Sequence, residues 1–206
     1  MKIQIITGRK KINIFYLDHD PQLCAQYHCD RHTVKMIIEY AQLMSTAHRL
    51  LDGRQYTENN KGRMTKRWKL NDNIDTIIYK ASHVNHPSAV WVRQDASHYT
   101  WLLTMWKYLL KEYTHRYGKQ HKTGELEFAL SRLPRNIPIK SLLIEEPPQA
   151  MPEECKTNGA VNAYRMYYIM KKNGFARWTN REIPKWYSHG ILDLLTMESQ
   201  VMGLYD

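Results

Sequence analysis

Cysteine is scarce. Three residues, Cys24, Cys29 and Cys155, stand in a chain of 206 with no Cys-x-x-Cys pair. That excludes a disulfide-stapled scaffold and a structural zinc site of the usual kind. Long apolar runs are absent too: no stretch of about 18 apolar residues occurs, so no membrane span is expected and no membrane partner. The opening MKIQIITGRKKINIFYLD lacks an apolar signal core with a small-residue cleavage site, so a cytoplasmic location is expected. No Walker loop, GxGxxG, GxSxG or HExxH motif is present. This disfavours nucleotide triphosphate hydrolysis, a Rossmann cofactor, and serine or zinc hydrolysis of the common types; no cofactor is expected. Internal repeats and low-complexity segments are also missing.

Acidic residues are outnumbered, 20 Asp and Glu against 30 Lys and Arg, for a net charge of +10. A basic surface attracts phosphate backbones, and also acidic proteins or membranes. Six Trp and fourteen Tyr accompany the charge. Aromatics among Lys and Arg suit base stacking beside phosphate contacts, although any single Trp is more often a core residue. The length and a hydrophobic share of 43% fit one globular domain with a real core.

The chain is organised around residues 20–53. Asp20 is a good N-cap, Pro21 sits at the first helical position and Gly53 is a good stop. The stretch reads as one long helix, or as two helices broken near Cys29-Asp30. At about 100° per residue, His28, His32, Lys35, Glu39, Gln42 and Thr46 fall on one narrow polar stripe, and apolar residues cover most of the rest. Such a helix is mostly buried, and its strip meets water, a partner or a cleft. The bland reading is a solvated face.

Before this stretch, residues 1–18 read as a hairpin, or as one extended segment at 12–17 preceded by an arm. After it, residues 54–80 read as a long polar loop with Lys61, Arg63, Lys66, Arg67 and Lys69 gathered around Trp68, suited to a nucleic-acid backbone or simply solvated. Asn85-His86-Pro87 is a turn or the start of a helix. Helices are expected over 96–117, ended by Gly118, over 125–133 and over 159–174, with a final amphipathic helix in ILDLLTMESQVMGLY available to a partner chain. His115, Arg116 and Lys119 make a basic patch at the end of the 96–117 helix. The expected architecture is mainly α: an arm at 1–11, a single helical domain at 12–187 with a short extended segment or hairpin, and a tail at 188–206.

Two chemistries suit the stripe. His28 and His32 at i, i+4 can share a metal ion, with Glu39 two turns on and Asp18, His19, Asp20, His83, His86 or His115 as further ligands, as in a metal-dependent phosphohydrolase. Alternatively, base excision needs a carboxylate beside the sugar, an amine for a Schiff base and a base taken out of the stack. Glu39 and Lys35 supply both groups, although Lys and Glu at this spacing more often form a plain surface ion pair.

The segments INIFYLDHDPQLCAQYHCDRHTVKMIIEYAQLMSTAHR, NHPSAVWVR, EYTHRYGKQHK, PPQAMP and FARWTNREIPKWY resemble a family of phage-encoded proteins, over roughly residues 12–187. That likeness implies origin, with a host-cell cytoplasm as location, and not activity. Asp30, Glu39, Ala41-Gln42-Leu43, Asn85-His86-Pro87 and Arg116-Tyr117-Gly118 follow an order similar to that in pyrimidine-dimer DNA glycosylases of the endonuclease V type. The resemblance implies a small basic helical enzyme with Glu39 as catalytic carboxylate. Two departures matter. The family's nucleophile is an N-terminal amine freed by Met removal, whereas Lys2 follows Met1 here and about a dozen residues precede the matching strand. The family's Arg before its Glu is replaced by Ile38. The lyase amine is then absent or moved to Lys35.

The combined expectation is a DNA-binding, glycosylase-like protein. Glu39, Lys35, His32 and His28 form its catalytic set. Arg63, Lys66, Arg67, Trp68, Arg116 and Lys119 contact nucleic acid, DNA before RNA. The alternatives are the phosphohydrolase and a non-enzymatic nucleic-acid-binding or host-takeover protein.

Overall fold

A computed structural model describes residues 12–141 and 143–202. The architecture is mainly α. Among the described residues seven α-helices occur: α1 (Pro21–Tyr27), α2 (Asp30–Asp52), α3 (Pro87–Gln94), α4 (Ala96–Tyr117), α5 (Glu127–Leu130), α6 (Ala160–Lys171) and α7 (Lys185–Met202). Two strands, β1 (Arg54–Asn60) and β2 (Arg63–Lys69), pair as an antiparallel hairpin. Among the described residues no helix is long and apolar enough to cross a membrane.

The central helix is α2, against which α3, α4 and α5 pack. Met36, Ile37, Tyr40, Ala41, Leu43, Met44 and Ala47 are fully buried along it. Asp20 caps α1 through the Leu23 N–H at 2.8 Å, and the two-helix reading holds. The break lies at His28-Cys29, where extended backbone separates α1 from α2. Cys29 is the cap position, and Asp30 is the first helical residue instead of the cap. Its carboxylate is turned outward, accepting from Thr179 and Arg116. Gly118 ends α4 in the left-handed region at φ 64°, where a Cβ is disfavoured.

Residues 12–17 belong to no helix or strand. Their backbone groups are satisfied by side chains instead: Phe15 N–H donates to Tyr40 Oη at 3.1 Å, and the Leu17 carbonyl accepts from Arg165 Nε at 2.9 Å. Asn13 Nδ2 also reaches the Ala150 carbonyl, pinning the Pro-rich segment to this thread. Such pairing lets unpaired chain run through a core without orphaned polar groups. The hairpin reading of residues 1–18 falls partly on 1–11, outside the described residues. α7 begins at Lys185, so the expected division at 187/188 falls inside one helix.

The polar loop expected at 54–80 is corrected. Residues 54–69 form a hairpin with almost no apolar residues. The turn Asn60-Lys61-Gly62-Arg63 has both central φ angles positive, 51° and 84°, the mirror-type turn whose twist matches paired strands.

Candidate nucleic-acid interface

The hairpin is a two-stranded ribbon exposed along most of both faces. Side chains of directly opposed residues share a face. Arg54↔Lys69, Tyr56↔Arg67, Glu58↔Thr65 and Asn60↔Arg63 make one face; Gln55↔Trp68, Thr57↔Lys66 and Asn59↔Met64 make the other. Residues 54–69 carry six Lys or Arg and one acid, Glu58. Even that acid is engaged: Arg67 Nε donates to Glu58 Oε2 at 2.9 Å, and this bond together with Lys80 holds the Glu58 carboxyl below its usual range.

The root of the ribbon is built on Arg49, in the last turns of α2. Its side chain is buried, and its guanidinium donates to the carbonyls of Trp68, Asp75, Ile78 and Tyr79 and to Asp75 Oδ1 at 2.8 Å. Asp75 Oδ1 also accepts the Leu70 N–H at 2.8 Å. Burial works against the Asp75 carboxylate, but the Leu70 N–H and Arg49 outweigh it and keep its pKa below normal. Gly53 completes the joint: a Cβ there would stand 2.4 Å from the Arg49 carbonyl and 3.1 Å from Trp68 Cβ. A planar fork that fills five acceptor sites from three chain segments makes a stiff mount. Beside it lies a cleft of about 510 Å³ lined by Tyr56, Arg67, Lys69 and Lys80 over Arg49 and Asp75.

The ribbon brings Arg63, Lys66, Arg67 and Trp68 together. Arg63 and Lys66 are exposed, while Arg67 and Trp68 are half-buried at its sides. Arg116 is a correction. Its guanidinium is wholly buried, donating to Glu112 Oε1, Asp30 Oδ1 and the Gln26 carbonyl at 2.7–2.9 Å. It ties α4 to the start of α2 and lies out of reach of a phosphate. Lys119 is exposed just beyond. Since α2 has 23 residues, this end lies about 33 Å from the ribbon.

The stripe also divides. Lys35 is exposed and Glu39 and Gln42 are half-buried, but His32 and Thr46 are buried, and Val34 and Ile38 take part of the solvent face. His28 lies on the α1 side of the break. Both its nitrogens are engaged, Nδ1 with the Cys24 carbonyl and Nε2 with Tyr40 Oη, each at 2.7 Å. Burial pushes its pKa down to about 4. His32 Nδ1 is bound to Tyr168 Oη, its ring stacks on Phe15 at 4.1 Å, and burial pushes its pKa well down. Both are neutral interior groups, remote from a phosphate or a surface proton transfer. Among the described residues no three His, Cys, Asp or Glu side chains converge as metal ligands. Glu39 Oε1 stands 2.9 Å from Lys35 Nζ, and Glu39 Oε2 is buried without a hydrogen-bond partner. The pair sits on the surface of α2, apart from the cleft at the ribbon root.

Arg54, Tyr56 and Lys80, and the polar row Gln55, Thr57 and Asn59, went unnoticed at the sequence level. The available signal was Lys61-Gly62 between two stretches of equal length, with the β-favouring Tyr56, Thr57, Thr65 and Trp68 on either side. The aromatic expectation narrows as well. Trp91, Trp101, Trp106 and Trp178 are core residues, and Tyr56 is the exposed aromatic of the ribbon. Compared with known proteins, the chain matches no family model, no curated protein and no solved structure.

Proposed function

We propose that the protein binds duplex DNA by laying the 54–69 ribbon in the major groove. The observation that carries this reading is the exposed basic ribbon on a buried arginine mount. A seven-residue strand is about 24 Å long, and two strands about 5 Å apart fit a groove about 12 Å wide. The corresponding groove of A-form RNA is too deep and narrow, which favours DNA. The two faces suit different tasks. Arg54, Arg63 and Lys69 offer charge to phosphates. Gln55, Thr57 and Asn59 offer amides and a hydroxyl of the kind that hydrogen-bond base edges. The test is fluorescence anisotropy with duplex DNA, single-stranded DNA and duplex RNA over a range of salt. Duplex DNA should bind tightest, and Arg63→Ala with Lys69→Ala should reduce the salt slope by about 2. An unchanged slope would remove the ribbon from the interface.

A base-excision reading is favoured by one observation, the buried unpartnered Glu39 Oε2 beside Lys35. It narrows the catalytic set to this carboxylate and amine, without His28 and His32. Borohydride reduction on damaged duplex should then trap an adduct on Lys35, and Glu39→Gln should abolish base release while sparing binding. Absence of both adduct and base release leaves DNA binding alone.

A further inference from the structure

The two halves of α7 have different surroundings. Its first half docks on α6, with Gly190 at the crossing: a Cβ there would stand 2.3 Å from Ile169 Cδ1. Ile191 and Leu194 still pack on the core, and beyond Leu194 the helix leaves the body. Leu192, Leu195 and Met197 are 61%, 53% and 64% exposed. Alongside runs a groove of about 1010 Å³ between α7 and the preceding segment, lined by Trp178, Ile183, Tyr187 and Ile191 together with Arg177 and Arg181. The charge is also uneven. The distal half of α7, residues 191–202, contains no Lys or Arg and includes Asp193 and Glu198, in a chain of net charge +10.

We propose that a second copy of the chain covers this face, the distal half of α7 from each protomer lying in the groove of the other. One surface offers both an acidic apolar helix and an apolar groove that carries arginines. A patch that is its own complement closes around a two-fold axis, as isologous dimers do. Charge supports a copy of this chain as the occupant. Elsewhere two such basic molecules repel, and here an acidic element meets Arg177, while Arg181 is already paired with Glu112 of its own chain. Large exposed aliphatic side chains clustered on one helix mark such a contact. The dimer is independent of the ribbon and of its ligand.

The experiment is sedimentation equilibrium of the full chain without nucleic acid, beside Leu192→Glu and Met197→Glu. Both positions point away from the chain's own core, so the variants should keep the wild-type helical circular dichroism and Tm. The wild type should sediment as a dimer, and the double variant should raise the dissociation constant by at least about 100-fold. Arg177→Glu should weaken the dimer as well. A monomeric wild type, or a dimer untouched by the double variant, overturns the proposal.

Discussion

Single residues here do structural work that their type does not announce. Arg49 resembles any surface cation in the sequence, yet it holds the root of the ribbon through five acceptors. Arg49→Lys keeps the charge but loses the fork. It should cost about 2–3 kcal/mol in urea denaturation. Ribbon amides should lose hydrogen-exchange protection at the same time; stability lost with the ribbon still protected would count against Arg49 as its mount. His28 shows the reverse case, a titratable group made inert. Its pKa falls from about 6.5 in the unfolded chain to about 4 in the fold, through burial. Between those values the unfolded chain takes up a proton that the folded protein refuses. Stability from this group is therefore full above pH 6.5 and declines as pH drops toward 4, by about 2 kcal/mol at pH 5. Urea titrations at pH 7 and pH 5 measure this difference, and His28→Gln should reduce it by about 2 kcal/mol. His32 and His48, also lowered by burial, act in the same direction.

At the scale of the element, the ribbon depends on its turn. Gly62 lies at φ 84° with open space around its Cα, so Gly62→Ala meets no clash and reports backbone strain alone. A loss of about 1 kcal/mol in ribbon stability is expected. Hydrogen exchange of the strand amides would register it, with a few-fold weaker binding of duplex DNA and an unchanged global Tm. A global Tm that falls with the ribbon would mean that hairpin and body unfold as one unit. α2 carries the complementary lesson. Periodicity correctly marked it as buried on most sides, but not how far its polar stripe stays wet. His32 passes beneath Phe15 and Tyr168, which come from distant parts of the chain, and Thr46 pairs with Ser82.

The whole molecule separates a helical body from an attached arm. Gln55 and Trp68 are direct partners, so the arm can be shortened by replacing residues 56–67 with an Asn-Gly turn. The Arg49 contacts stay in place. The shortened protein should keep its Tm within a few degrees and lose most of its affinity for duplex DNA. Retained affinity would move the binding surface to the helical body. The same excision should leave the α7 dimer intact, because that face belongs to the other end of the chain.

Helix content, the start of α1 at Asp20, the ends of α2 and α4 at Gly53 and Gly118, and the start of α3 at Pro87 were all legible in the sequence, because caps, prolines and glycines act locally. The basic charge and its concentration between Lys61 and Lys69 were legible for the same reason. The ribbon was not. Its strands lack the apolar alternation that marks a half-buried strand, because neither face packs on a core, and pairing across the turn and the Arg49 mount at the root hold them. Nor could local pattern show that Arg116 and His28 are spent inside the fold, since their partners, Asp30 and Gln26 for one and Tyr40 for the other, are brought to them by packing. The sequence by itself determined which segments coil and that the surface is basic. The tertiary structure alone decided which of the charged and titratable groups remain at that surface, because burial depends on what the rest of the chain lays over them.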